Sequence, residues 1–328
     1  MSFILRRLVF YAVAAWVALT INFFIPRLIP GNAVQNVMAK FPNLQPSAYK
    51  ALEALLGVGH PGSIWHQYVT YLDDIFHFNF GTDVSQYPAQ VSSLLVQTLP
   101  WTITLVGVAT VIAFLIGTAL GIVAGWRHGG TLDRVLPGLM FLQAIPYFFF
   151  ALILVELLAI KTQVFPSGQG YSDGLIPGWH WDFISSAIYH SLLPALTIVL
   201  TSIAGWMLQM RNVMITTTGE DYVIAAQAKG LPNRRVIYTY AARNALLPQL
   251  QGFGLAVGFV VSGAIVMEIV FGYPGIGLLL LNAVTSNDYP LMQAIFLVIT
   301  FAVLLANLVV DMIIVVADPR ARRREATS

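Results

Sequence analysis

Six long apolar runs punctuate the chain, at about residues 8–29, 99–124, 136–160, 191–211, 250–271 and 291–316. Each approaches the roughly 20 residues that an α-helix needs to cross the hydrocarbon of a bilayer. They are far too long for barrel strands, and only helices or closed barrels satisfy their backbone in lipid, so the pattern predicts six spanning helices. Glycines and prolines fall inside the runs (Gly117, Gly121, Pro146, Pro194, Gly254, Gly258, Gly263). Small residues let helix backbones approach, and prolines are tolerated in membrane helices as kinks.

Two polar stretches interrupt this pattern at length. The first, about 31–98, carries Ser63 ahead of Ile64, Tyr68, Leu72, Ile75 and Phe76. That spacing predicts an amphipathic helix capped by Ser63, with an apolar stripe that packs on the outer ends of the spans. The second, DYVIAAQAKGLPNRRVIYTYAARNALLP at 221–248, reads as a helical elbow. Residues 221–229 favour helix, with Glu220 and Asp221 at its positive end. Gly230 is a natural stop, and Pro232 suits the first turn of a second helix, expected to end near Leu246 before Pro248. The first helix offers Ala225, Ala226 and Ala228 beside Gly230, a surface of small side chains whose ordering costs little entropy. The residues alone leave two readings open: a face that seats in a partner's groove, or a basic elbow that packs internally or only enforces topology.

Composition agrees with the spans. The chain has 328 residues, 57% hydrophobic and only 10% charged, too few charges to coat a soluble domain of this size. There is no cysteine, which excludes disulfides, thiol catalysis and cysteine-ligated metal. Placing the N-terminus in the cytoplasm puts Arg6, Arg7, Arg127, Arg134, Arg211, Lys229, Arg234, Arg235, Arg243, Arg320, Arg322, Arg323 and Arg324 inside, 13 of the 17 basic residues. That bias predicts cytoplasmic N- and C-termini and an extracytoplasmic 31–98 segment. The first apolar run, about 20 residues long and not closed by an Ala-x-Ala-type site, is read as a retained first span. The net charge of +2 gives no ground for a nucleic-acid partner.

Reactive constellations are missing from the sequence. The six histidines are scattered without a metal-ligand spacing, so no metal is expected. No phosphate-binding Gly-x-x-x-x-Gly-Lys-Ser/Thr run and no Gly-x-Ser-x-Gly elbow occurs, so neither a nucleotide site nor hydrolase chemistry is expected. Glu268 lies in or near a span, where an ionisable group must face protein or water. It is read either as part of a translocation path or gate, or as a structural group fixing the Tyr-Pro-Gly turn after it. Arg211 is read as an interface anchor where a span meets the cytoplasm.

Several stretches carry a resemblance. AAQAKGLPNRRVIYTYAARNALLP is similar to the cytoplasmic EAA loop of ABC importer permeases, in its peptide-permease form. The matched positions are Ala226, Ala228, Lys229, Gly230 and Leu231, then Arg243, Asn244, Ala245, Leu246 and Pro248; Ile224 stands at the namesake glutamate position. RRLVF…IPRLIPGN, MEIVFGYPGIGLLLLNAVTSNDYPLMQA and NLVVDMIIVVADPRARR resemble the opening, the most recognisable run and the ending of the B-type permease subunit of dipeptide/oligopeptide ABC importers. LLGVGHPGSIWHQYVTYLDDIFHFNFGTDVS is similar to its outer segment, where Asn79 and Phe80 depart from the family pattern, as Asn32 does in the opening.

The resemblance implies an all-α polytopic fold of type I ABC importer permeases with six transmembrane helices. Residues 1–98 would form the first span and an extracytoplasmic helical segment, 99–318 a five-helix core with the elbow at 212–248, and 319–328 a basic tail. It implies a non-catalytic subunit of the cell membrane that binds no cofactor; ATP and Mg would sit on two cytoplasmic ATPase subunits. A second homologous permease and an extracytoplasmic substrate-binding protein would complete the importer. Ile224, Ala225, Ala226, Ala228, Lys229, Gly230 and Leu231 would dock the ATPase, and Glu268 and Tyr273 would stand at the path or gate. The competing expectation is an ion-coupled secondary transporter working without an ATPase.

Overall fold

The computed structural model describes residues 3–28, 63–83, 86, 88–258 and 265–317. The expected first half of the outer segment, the basic tail at 319–328 and part of the run at 250–271 lie outside these residues. Among the described residues the chain is helical, with one isolated bridge between Thr82 and Gln90. Among the described residues, four helices are long and apolar enough to cross a membrane, or five if one bent pair counts as a single span.

The chain divides into two units. The first comprises residues 1–102 and 274–304. It holds α1 (Phe3–Leu28), α2 (Ile64–Phe76), the start of α3 (Val91–Trp126), and two further helices near the C-terminus. Ser63 caps α2 as expected, accepting from the His66 N–H. The stripe on α2 is narrower than expected. Ile64 and Phe76 are exposed, and the contact with α1 is made by Tyr68 and Tyr71, whose rings lie 5.1 and 5.4 Å from that of Phe23. The polar ends of these rings are satisfied: Tyr68 Oη meets Thr20 Oγ1 at 2.7 Å, and Asn22 Nδ2 donates to Tyr71 Oη at 3.1 Å.

The second unit comprises 103–273 and 305–328. It holds most of α3, then α4 (Thr131–Ala144), α5 (Tyr147–Leu154, continuing as a π-helical turn Val155–Lys161), α6 (Trp181–Thr218) and α7 (Asp221–Ala228). Next come α8 (Asn233–Arg235), a π-helical turn Val236–Ala242, α9 (Arg243–Gly258) and α10 (Ile265–Val270). The first unit is completed by α11 (Ile276–Ser286) and by the start of α12 (Tyr289–Ala317).

Three expectations are corrected here. The run at 136–160 is not one straight span. Ile145 adopts extended backbone and Pro146 a non-helical one (φ −53°, ψ 129°), and α4 and α5 meet at 95°. Pro146 brings no N–H and disfavours helix at the residue before it, so the ladder breaks there. The span expected at 191–211 runs from Trp181, with His180 as its cap accepting from Phe183 N–H, so His190 and Ser191 are mid-helix. The second helix of the elbow does not stop at Pro248 but passes through it to Gly258. A proline forfeits one helical hydrogen bond, a loss that neighbouring packing offsets in membrane helices.

α3 and α6 approach closely along Gly117, Gly121 and Gly125. A Cβ on any of them would sit 2.5–2.6 Å from an atom of α6: Trp206 Cβ, the Met207 carbonyl or the Met214 Cβ respectively. Spaced four apart, the three share one face, so the seam runs over two helical turns. Around it Ala124, Leu136 and Met207 form a buried cluster joining α3, α4 and α6.

Candidate functional site: the helical elbow after α6

The buried face of α6 recurs every three or four residues through Met207, Met210, Met214 and Thr217, and the helix closes at Gly219. Glu220, with extended backbone, starts α7. α7 is then docked by two residues, Val223 (0% exposed) and Ala226 (3% exposed), which enter a cluster with Met210, Met214, Val236, Ala241, Ala242 and Ala245. The returning chain fits the same cluster through its π-turn. Val236 and Ala241 are five residues apart, the repeat of a π-helix, and both are fully buried. A strict α repeat would turn one of them outward.

The turn between α7 and α8 is closed by a pair of hydrogen bonds. Gly230 N–H donates to the Gln227 carbonyl (2.9 Å), and Leu231 N–H to the Ala226 carbonyl (3.4 Å). This is the Schellman arrangement, with Gly230 at φ +69° and Leu231 packed back on the cluster that holds Ala226. A Cβ at Gly230 would meet nothing within 4 Å, so glycine is required there by conformation and not by space. Pro232 then caps α8, its carbonyl accepting from Arg235 and Val236 N–H.

The seven residues expected to dock an ATPase therefore divide. Ile224 (51% exposed), Ala225, Ala228, Lys229 and Gly230 face outward. Ala226 does not: it is buried against its own chain, and Leu231 is half-buried beside it. The small side chain of Ala226 is thus what lets α7 lie close on α6 and the π-turn Val236–Ala242. Tyr222 (39% exposed) joins the outer face, a residue that the small-side-chain pattern did not single out. Arg234, Arg235 and Arg243 are exposed on the second limb.

A polar clamp braces α6 just above the elbow. Arg211 donates from Nε to Asp133 Oδ1 (2.6 Å) and from Nη2 to Oδ2 (3.2 Å), a two-point pair with both side chains mostly buried. His128 Nδ1 lies 2.8 Å from Asp133 Oδ2, and Gly129 N–H donates to the same oxygen. Asp133 precedes the apolar stretch of α4. The Arg211 hydrogen bond, then that of Gly129, hold its carboxyl well below the usual carboxylate range. Arg211 is therefore more than the interface anchor the sequence suggests: it ties α6 to the start of α4. Its partner, 78 positions away, carries no sequence signal.

Glu268 and Tyr273, expected at a path or gate, are both buried and present no surface. Tyr273 N–H donates to the Glu268 carbonyl, and Tyr273 Oη lies 2.9 Å from Ser191 Oγ. Gln169 N–H donates to the Phe271 carbonyl, and a Cβ on Gly168 would sit 2.5 Å from that oxygen. This network holds the Phe-Gly-Tyr turn against α6 and the segment before it.

Known proteins supply the remaining context. Residues 117–323 match the family described as binding-protein-dependent transport system inner membrane component. The chain is 31% identical to the dipeptide transport system permease protein DppB of Escherichia coli (strain K12), covering 99% of this chain and all of that protein. It is 29% identical to the oligopeptide transport system permease protein AppB of Bacillus subtilis (strain 168), over 92% of each. It is 30% identical to the di/tripeptide transport system permease protein DppB of Pseudomonas aeruginosa (strain UCBPP-PA14), over 99% of each. A family match over more than half the chain, joined to these near full-length relatives, places this protein among the inner membrane components of binding-protein-dependent transport systems.

Proposed function

We infer that this chain is a permease subunit of an ATP-driven peptide importer, doing no chemistry itself and receiving force through the elbow after α6. Its near full-length likeness to dipeptide and oligopeptide permeases supports the solute class. The observation that carries the mechanism is the build of the elbow. α7 is pinned to α6 and to the π-turn Val236–Ala242 by Val223 and Ala226, while Tyr222, Ile224, Ala225, Ala228 and Lys229 stand outward. A short helix fixed on one side and bare on the other transmits a push to the helices that hold it. ATP would close two ATPase subunits, carrying Mg and nucleotide, against two such elbows. The helices would convert that closure into a change of access.

In this reading the chain has six spans with both termini cytoplasmic, and it pairs with a second homologous permease. An extracytoplasmic binding protein delivers the peptide, and the α2 segment offers it a landing surface. The test is reconstitution. Uptake of a dipeptide presented by the binding protein should require ATP and the partner ATPases. Uptake driven by an ion gradient with this chain alone would replace the reading with a secondary transporter.

A further inference from the structure

The break between α4 and α5 falls about 14 Å of helix beyond Leu136, where the apolar stretch begins, at ~1.5 Å per residue. The bent pair as a whole has the length and composition of one span. Interrupted backbone at membrane depth is tolerated only where protein buries it or water reaches it. Here Ala144 and Pro146 are exposed, so their own chain does not bury them.

Gln143 stands at this break. It continues the row Leu132, Leu136, Leu139 and Met140 that packs on α6, yet its side chain is exposed. Its amide lies across α6 where a Cβ on Gly205 would come within 2.9 Å of Nε2. One turn along the same face of α6, Gln209 repeats the arrangement on α9, its Nε2 3.0 Å from a Cβ built on Gly252. Among the described residues, neither amide makes a hydrogen bond to the chain. Two uncharged amides with open donors and acceptors are thus laid flat across three helices at a backbone break. Hydrocarbon against them would be unfavourable, because an amide in an apolar medium loses the hydrogen bonds that water gives it.

We propose that Gln143 and Gln209, beside the α4–α5 break, line the aqueous path and offer neutral donor–acceptor pairs to the backbone of a passing peptide. The glycines beneath give the amides room to lie against α6 and α9, with Gln143 exposed and Gln209 half-buried. A primary amide matches a peptide bond in both donor and acceptor. Its neutrality suits a carrier whose cargo varies in side-chain charge, since no fixed charge traps one class. The proposal rests on the peptide-importer reading.

The natural lack of cysteine makes the test direct. Gln143→Cys, Gln209→Cys and the milder Ala144→Cys are placed singly in the assembled importer in vesicles, with Leu152→Cys, on an exposed apolar face, as the lipid control. An anionic, membrane-impermeant methanethiosulfonate is applied from both sides. The three path positions should react at least ten-fold faster than Leu152→Cys and be slowed during peptide uptake. Rates equal to that of Leu152→Cys would overturn the proposal and assign the face to lipid or to the second permease. Wild-type uptake separates the two ideas: if peptide is not carried, the importer reading falls; if it is carried while the cysteines stay inert, only this inference falls.

Discussion

Replacing Gly230 separates backbone conformation from bulk in the elbow. Its φ of +69° lies in the left-handed region, where an L-residue costs about 1–2 kcal/mol. Because a Cβ there meets nothing within 4 Å, that cost is the whole intramolecular penalty of Gly230→Ala. If the turn must hold this shape to seat in an ATPase, docking affinity should fall by about 5- to 30-fold for alanine, from 1–2 kcal/mol at ~1.4 kcal/mol per decade. Valine, branched at Cβ, should lose more. Asparagine should lose least, because Asn287 closes α11 at φ 52° with the same hydrogen-bond pair, Asn287 N–H to Val284 and Asp288 N–H to Ala283. The assay is titration of the purified permease with its ATPase subunit, reading the dissociation constant. Conformation is refuted as the cause if Asn and Val prove equally harmful. It is also refuted if alanine is silent while tryptophan abolishes docking, an outcome that would make Gly230 a contact surface.

Other positions test the remaining contacts. Ala226→Leu overfills a site that is 3% exposed and should destabilise the elbow by about 1–3 kcal/mol, read as faster tryptic cleavage at Lys229, Arg234 and Arg235; Ile224→Ala should leave cleavage unchanged while weakening ATPase binding. In α3, Gly121→Ala puts a methyl 2.6 Å from the Met207 carbonyl and should lower the thermal midpoint in detergent, whereas Gly107→Ala, with nothing within 4 Å, should not. Asp133→Asn should lower that midpoint and make a further Arg211→Gln change nearly silent, since the pair is already broken. Asp133 has its folded pKa depressed, so its stabilisation is present above the ordinary carboxylate value and lost as pH falls; the wild-type advantage over Asp133→Asn should hold from pH 8 to 5 and shrink below about pH 4.

Much of this protein was legible in its residues because lipid imposes a one-dimensional rule. A run of about 20 apolar residues has few structural options, so the helical class, the first span and the helices through 99–124 and 291–316 could be read directly. Local chemistry was equally plain: Ser63 as a cap and Gly230 as a stop depend only on neighbours in sequence. What sequence could not place were arrangements set by distant partners. The 95° break depends on Pro146, yet Pro100, Pro137, Pro194 and Pro248 lie inside helices that continue, so proline alone does not mark a break. Ala225 and Ala226 look alike in sequence; one faces out and the other is buried, because α7 packs in the cluster formed by Met210 and Met214 of α6 and Val236 and Ala241 of the π-turn. Asp133 found Arg211 only through the packing of α4 on α6. Hydrophobic length determines which segments are helices, while the phase of each helix against its neighbours, which no single segment contains, decides which side chains meet and which remain free to bind.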